Sequence, residues 1–167
     1  GDNTDCGQHE VQWNGAFSGL KGIVEHIPFM MTLGNHDNRG FEDYRNGIGR
    51  YYSEPAEFFG KQFKGSYPYN GPEGWKTENY SFDYGNAKFI MLDTNDLSGN
   101  KIKDDQYNWL VNTLKNNTKK WTIVSMHNPM YSVGKWGANP EINQISLALR
   151  EQLQGIFAEY GVDLVLQ

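Results

Sequence analysis

The sequence predicts an α/β sandwich, and three observations carry the prediction. Apolar, β-rich runs recur at 28–33, 88–92, 121–126 and 162–166. Amphipathic helical patterns lie between them, and Gly85-Asn86 splits two β-rich runs in the manner of a hairpin. Strands that alternate with helices, with a near-continuous apolar run in the centre, suit a sheet whose central strands are covered on both faces.

The elements follow in order. Val11, Phe17, Leu20, Val24 and Ile27 recur at helical intervals, with Trp13 and Ala16 widening the face, so residues 8 to 26 read as mainly helix despite Gly15, Gly19 and Gly22. Pro28 ends that helix and opens a strand over Pro28-Phe29-Met30-Met31-Thr32-Leu33. Residues 38–78 form an irregular insert rich in Gly, Tyr, Phe and Pro, with a short helix expected around Ser53 to Phe59. Tyr80, Phe82 and Tyr84 alternate ahead of Gly85-Asn86, and Lys88 to Leu92 continues beyond it as a buried strand. Asp104-Asp105 starts a helix carrying Tyr107, Leu110, Val111 and Leu114 on one face and ending near Asn116-Asn117. A strand at 121–126 follows. A second amphipathic helix spans 144–160 through Ile145, Leu149, Leu153, Ile156 and Phe157, and Gly161 closes it before the last strand, Val162 to Leu166. There is no internal repeat, low-complexity tract or sign of a second domain, so residues 1–167 are expected to form one partial domain carrying the insert.

Composition narrows the partners. A chain of 167 residues is long enough to bury roughly 70% of its unfolded surface. A net charge of -5 and a pI near 5.3 provide no basic stripe and argue against nucleic acid. No apolar stretch reaches the roughly 18 residues of a membrane span, and no signal peptide is visible. Cys6 is the single cysteine, so no internal disulfide forms. Beside Asp5 and near His9 a nucleophilic role for Cys6 is disfavoured, because a neighbouring carboxylate raises a thiol's pKa; a small buried residue is the simpler reading.

Three polar clusters stand at strand ends. Gly34-Asn35-His36-Asp37 closes the apolar run from Pro28, His127-Asn128-Pro129 follows the strand 121–126, and the chain opens Gly1-Asp2-Asn3-Thr4-Asp5. Each alone suits a tight turn. Together they place an amide oxygen, imidazoles and carboxylates where open α/β sheets do their chemistry. The order Gly-Asp-x-x-Asp, Gly-Asn-His-Asp, then a histidine after a strand resembles the calcineurin-like metallophosphoesterase superfamily, in its purple-acid-phosphatase-like, extracytoplasmic branch. The resemblance extends to the Gln12-Trp13 helix, to Tyr80 through Asp93 and to the ending Tyr160 through Leu166.

The resemblance implies a layered αββα metallophosphoesterase sandwich and an active site with two metal ions. Phosphate esters resist hydrolysis because anionic oxygens repel nucleophiles and the leaving group is poor. Two cations about 4 Å apart neutralise those oxygens and acidify a shared water. By resemblance Asp2 bridges the metals, while Asn35 and His127 bind the second one. The donor set suits zinc, manganese or iron without choosing among them. His36 is no ligand in this scheme: it binds phosphate and protonates the leaving oxygen, paired with Asp5 as in the phosphoprotein-phosphatase branch. Purple acid phosphatases proper carry a metal-bound tyrosine at the position of Asp5, so the ferric-tyrosinate colour is expected to be missing here. The implied reaction is phosphate-ester hydrolysis by a hydroxide bridging two metals, with His36 as acid.

The remaining polar residues keep blander readings. Asp37 is expected to cap the loop or bind backbone, and Asp93 and Asn95 to form either a turn or a support for the site. Tyr131 lines a pocket or packs in the core. His9 and His26 belong to a helix surface. Tyr67, Tyr69, Trp75 and Trp136 form either a substrate rim or a satellite core.

The family's Asp-x-His motif before Gly1-Asp2 and its Gly-His-x-His motif after the last strand are both missing from the sequence. The chain is accordingly expected to be a truncated piece of a larger enzyme, with an incomplete sandwich, at most one weakly bound metal and no activity of its own. A missing first strand would expose a sheet edge and invite self-association. A non-catalytic binding or scaffold domain on the same fold, and a mononuclear metal-binding relic, are the alternatives. Extracytoplasmic location is implied by the resemblance.

Overall fold

The computed structural model describes residues 1–38, 57–73, 77–95, 97–133 and 144–167. Most of the irregular insert, with the first half of the helix expected from Ser53, lies outside the described residues, as do Trp75 and Trp136.

The helices are α1 (Glu10–Gly19), α2 (Glu57–Phe63), α3 (Asp104–Lys115) and α4 (Gln144–Glu159). The strands are β1 (Tyr80–Tyr84), β2 (Ala87–Leu92), β3 (Leu97–Ser98), β4 (Lys101–Ile102), β5 (Trp121–Met126) and β6 (Leu164–Leu166). Four of them form one mixed sheet in the order β1-β2-β5-β6, in which β2, β5 and β6 run parallel and β1 is antiparallel to β2; β3 and β4 form a separate hairpin. The α/β class expected from the sequence is the class observed.

The β1–β2 hairpin pairs Tyr84 with Ala87, which leaves the two-residue loop Gly85-Asn86. Gly85 takes φ +56°, the left-handed backbone that such a loop requires and that a side chain would oppose. Asp104 and Asp105 in the first turn of α3 and Lys115 in its last complement the helix dipole, and the Gln106 side chain accepts the Lys103 amide hydrogen at 3.2 Å. Leu110 and Leu114 of α3 meet Leu149, Leu153, Ile156 and Phe157 of α4 over Ile90, Leu92, Val124 and Met126 of the sheet. These are the faces the sequence periodicity assigns, and together they bury one side of the sheet.

The other side is covered differently. Residues 28–34 carry no regular secondary structure and join no ladder, so the strand expected at 28–33 is not a strand. Side chains take the place of the missing ladder. The Tyr67 hydroxyl donates to Phe29 O (2.6 Å) and accepts from Met31 N (3.0 Å), and the Tyr80 hydroxyl donates to Met31 O at 2.7 Å. Asn3 Nδ2 donates to Thr32 O (3.4 Å) and Asn95 Nδ2 to Leu33 O (3.0 Å). Buried backbone polar groups need partners, and side chains serve as well as a neighbouring strand. Met31 and Leu33 pack with Trp13, Phe59 and Phe63 in a second core that α1 and α2 cover. Tyr67 packs against this core, so of the two readings it belongs to the satellite core. Away from the segment, Trp121, Leu164 and Leu166 on the same sheet face stay exposed.

The helix expected over 8–26 stops at Gly19, and turns fill 20–26. Gly22 at φ +85° is incompatible with continuing the helix. Val11 is exposed and Trp13 buried, so α1 turns a different face to the core than the spacing from Val11 implies.

Candidate active site

The site is assembled from three loops: the opening turn 1–7, the turn after the segment 28–34, and the turn after β5. The sequence motifs explain how closely they approach. A Cβ on Gly34 would collide with the backbone nitrogen and Oδ1 of Asp2, and a Cβ on Gly1 would stand 2.6 Å from His127 Nδ1. Glycine at both positions is therefore a packing requirement of the site. Asp2 itself adopts φ 55°, a left-handed backbone uncommon for a residue with a side chain.

Asp2, Asn35 and His127 converge. His127 Nε2 lies 2.7 Å from Asn35 Oδ1 and 3.5 Å from Asp2 Oδ1. Asp2 Oδ1 also accepts the His36 backbone N–H at 3.1 Å, which ties its carboxylate to the Gly34–Asp37 turn. Burial pushes the His127 pKa down, against the opposing attraction of Asp2. The ring is accordingly neutral near pH 7, and its Nε2 hydrogen is accepted by Asn35 Oδ1.

Donors bound to one cation at about 2.0 to 2.2 Å stand roughly 2.8 to 3.5 Å apart, the edge lengths of octahedral and tetrahedral shells. Of the two spacings at His127, 3.5 Å sits at the upper end of that range and 2.7 Å just below its lower end. One carboxylate, one amide oxygen and one imidazole could therefore hold a borderline cation with little rearrangement. No group of three or more His, Cys, Asp or Glu side chains with metal-binding geometry occurs among the described residues, so this set depends on the asparagine.

His36 stands beside these three residues and faces another partner. Its Nδ1 lies 2.9 Å from Asp5 Oδ1 and 3.1 Å from Asp5 O, and the ring is partly exposed. Asp5 and the imidazole it orients thus form a dyad next to the donor trio. The Asp5 and Cys6 amides are in turn fixed by Gln12 Oε1 of α1, at 2.9 and 2.8 Å.

Asp37 is fully buried and anchors the arrangement. Oδ1 accepts from Thr4 N (3.0 Å) and Thr4 Oγ1 (3.1 Å), while Oδ2 accepts from Gly34 N (2.8 Å) and Asn3 Nδ2 (2.8 Å). Its role is to clamp the first two loops together, as the backbone-binding reading expects. Cys6 is buried. His26 is exposed, and His9 flanks the start of α1. Tyr131 is exposed, with its hydroxyl on Gln154 Oε1 and Arg150 over its ring, so it does not pack in the core.

Sequence reasoning passed over three residues that join the loops. Thr32 Oγ1 and Ser125 Oγ share a hydrogen bond of 2.6 Å, and Thr94 Oγ1 accepts Asn128 N at 3.0 Å. None of the three belongs to a recognisable motif. Their one sequence signal is a hydroxyl inside or just after an apolar strand.

A family model described as calcineurin-like phosphoesterase matches residues 1–167. An acid phosphatase of Aspergillus ficuum is 26% identical over 224 residues, covering 95% of this chain and 35% of the relative. Purple acid phosphatase 21 of Arabidopsis thaliana is 26% identical over 165 residues, covering 95% of this chain and 35% of that protein. Purple acid phosphatase 13 of the same plant is 25% identical and covers 99% and 29%. The chain thus spans about a third of the length of these relatives.

Proposed function

Because the chain belongs to the calcineurin-like phosphoesterase family, we propose that it carries one half of the active site of a metal-dependent phosphoric ester hydrolase. Asp2, Asn35 and His127 are the metal donors, and His36 with Asp5 is the acid dyad. The convergence of Asn35, Asp2 and His127, at 2.7 and 3.5 Å about one imidazole nitrogen, is the observation that carries the reading.

Zinc, manganese or iron ions at such a site supply charge neutralisation for the phosphoryl oxygens and acidify a water. The chain's own residues do the rest. Asp2 contributes the one carboxylate of the trio, the group able to reach toward a second ion. Asn35 and His127 fix the trio's geometry from two different loops. A bound cation would replace the hydrogen now shared between His127 Nε2 and Asn35 Oδ1, and the imidazole would keep its hydrogen on Nδ1 instead. His36 holds one hydrogen on Nδ1 against Asp5, which leaves Nε2 as the nitrogen that passes a proton to the leaving oxygen. The ring ends that step neutral, with its Nδ1 hydrogen still on Asp5.

The donors present suffice for one ion, so the chain alone binds a single metal weakly and hydrolyses no ester above the rate of the metal itself. The complete protein acts on phosphate esters. An extracytoplasmic setting belongs to the same reading; among the described residues no helix is long and apolar enough to cross a membrane. Self-association through β6 does too, because that strand closes the sheet order and exposes Leu164 and Leu166.

Calorimetric titration with Zn2+ or Mn2+ tests the assignment. One equivalent should bind to the chain, and His127→Ala, Asn35→Ala and Asp2→Ala should each weaken binding at least tenfold. Retention of full affinity in all three variants would refute the donor set. Turnover of a chromogenic phosphate ester by the unaltered chain would refute the half-site.

A further inference from the structure

We infer that the loop Asp93-Thr94-Asn95 is a positioning bracket that sets the distance between the two metal-donor loops, with Thr94 and Asn95 as its positioning residues. The inference rests on the reading of Asn35 and His127 as metal donors.

The loop leaves the carboxyl end of β2, between the two donor-bearing segments, and bonds to each. On one side Asn95 Nδ2 donates to Leu33 O at 3.0 Å, two residues before Asn35. On the other, Thr94 Oγ1 accepts Asn128 N at 3.0 Å, and Asn128 Nδ2 donates to Thr94 O, immediately after His127. Asn35 and His127 are 92 positions apart in sequence and meet at 2.7 Å. The bracket joins the backbones that carry them.

The bracket is itself held rigidly. Asp93 Oδ1 accepts both Asn95 N and Asn95 Nδ2 at 2.8 Å, so the Asn95 amide has one orientation. Asn79 Oδ1 accepts Asp93 N at 2.9 Å, and Gln106 Nε2 of α3 donates to Asp93 O at 3.1 Å. Asn79, Asp93, Thr94, Asn95 and Gln106 are all at most 1% exposed. Burying five polar side chains is costly unless they are bonded, and interiors seldom place so many together without a use for their directionality. The use here is geometric: an error of about 1 Å between donors is enough to lose a metal site's preferred geometry.

Two measurements on the full 167-residue chain test the bracket: Mn2+ affinity by electron paramagnetic resonance, and the His127 imidazole resonances by NMR without metal. Asn95→Ala and Thr94→Val should each weaken Mn2+ binding about tenfold and displace the His127 resonances, leaving those of His9 and His26 in place. Thr94→Ser, which keeps the hydroxyl, should restore both. Trp109→Phe, which removes the bond from Trp109 Nε1 to Asn70 O and part of a ring packed against the first core, away from the bracket's bonds, should change neither. Unchanged affinity and unchanged His127 resonances in folded Asn95→Ala and Thr94→Val would overturn the proposal. If Asn95→Ala does not fold, the Thr94→Val and Thr94→Ser pair decides alone. If the unaltered chain binds no Mn2+, the donor assignment falls and the NMR arm decides: displaced His127 resonances support the bracket, and undisplaced ones refute it.

Discussion

The hydroxyls of Thr32 and Ser125 lie 2.6 Å apart, and the hydrogen bond between them joins the segment that leads into Asn35 to the strand that leads into His127. It is a direct strut beneath the site, where no backbone ladder joins the two. Thr32→Val and Ser125→Ala should each lower stability by about 1 kcal/mol, because each strands a hydroxyl in a largely dry setting. The double variant should cost clearly less than the sum, since the second substitution removes a partner already lost. Urea denaturation of the four proteins measures the coupling. Strict additivity would show that the two hydroxyls do not share the bond.

The Asp37 carboxylate accepts four hydrogen bonds from three residues in two loops. Asp37→Asn replaces one acceptor oxygen by an NH2 group that must face donors, either Thr4 N and Thr4 Oγ1 or Gly34 N and Asn3 Nδ2. A buried donor facing donors should cost about 2 to 4 kcal/mol, enough to unfold a marginal chain. Circular dichroism with thermal melting should show a much lower midpoint for Asp37→Asn. An unchanged midpoint would mean that the clamp adds nothing to stability.

How much of this the sequence discloses depends on where each residue's partners lie. Helices α3 and α4 and strand β5 are legible because their apolar period is clean and their ends carry charge or glycine, as at Asp104-Asp105 and Gly161. The apolar run 28–33 is legible too, but its lack of a ladder is not. Its hydrogen bonds come from side chains as far as 62 positions away, Asn95 to Leu33, and such pairings leave no local pattern. The expectation for α1 overran because helical spacing continued past Gly19 while the backbone turned at Gly22. At the site, Asn35, His36 and His127 stand as polar groups at the ends of apolar runs, Asp2 is picked out by the Gly-Asp-x-x-Asp pattern of the resemblance, and Asp37 follows from the habit of aspartate to bond nearby backbone. Thr32, Thr94 and Ser125 do not announce themselves, since a hydroxyl within or just after a strand is ordinary until its partner is known.

Tyr67 and Tyr80 hold the segment 28–34 through their hydroxyls, and burial pushes the Tyr67 pKa up to about 12 and that of Tyr80 higher still. Both rings therefore remain protonated donors across the working pH range. Tyr67→Phe frees Phe29 O, which water reaches, and leaves the part-buried Met31 N unbonded, whereas Tyr80→Phe strands the buried Met31 O. The expected losses are about 1 kcal/mol and about 2 kcal/mol. Chemical denaturation should give that order, and the reverse order would contradict the assigned bonding.

Glu78 should cost the fold stability at neutral pH. Burial raises its pKa, and bonds from its own backbone, the Thr77 side chain and the Thr77 backbone only partly oppose the rise. The folded state thus holds this proton more tightly than the unfolded chain does. Its favourable contribution is complete below the ordinary value of 4.5 and is lost as pH rises through the raised folded value. Glu78→Gln should raise the melting midpoint at pH 7 and leave it nearly unchanged at pH 4. Equal effects at the two pH values would trace the change to packing instead of charge.

Asp5 bears on which subclass of metal chemistry the site can show. Its Oδ1 is 2.9 Å from His36 Nδ1, so the carboxylate is engaged with the His36 ring. The resemblance to purple acid phosphatases places a metal-bound tyrosine at this position, and the colour of those enzymes comes from electron transfer between that phenolate and ferric iron. An aspartate has no low-lying π orbital to supply such a transition. Titration of the chain with Fe3+ should therefore produce no tyrosinate band in the visible spectrum, whether or not the ion binds at Asp2, Asn35 and His127. Binding must be followed separately, by iron retained after gel filtration. Asp5→Asn, whose amide oxygen can still accept the Nδ1 hydrogen of His36, should behave alike. A visible band in the unaltered chain would mean that one of its other tyrosines reaches the ion, and the position of Asp5 would then no longer separate this chain from the coloured enzymes.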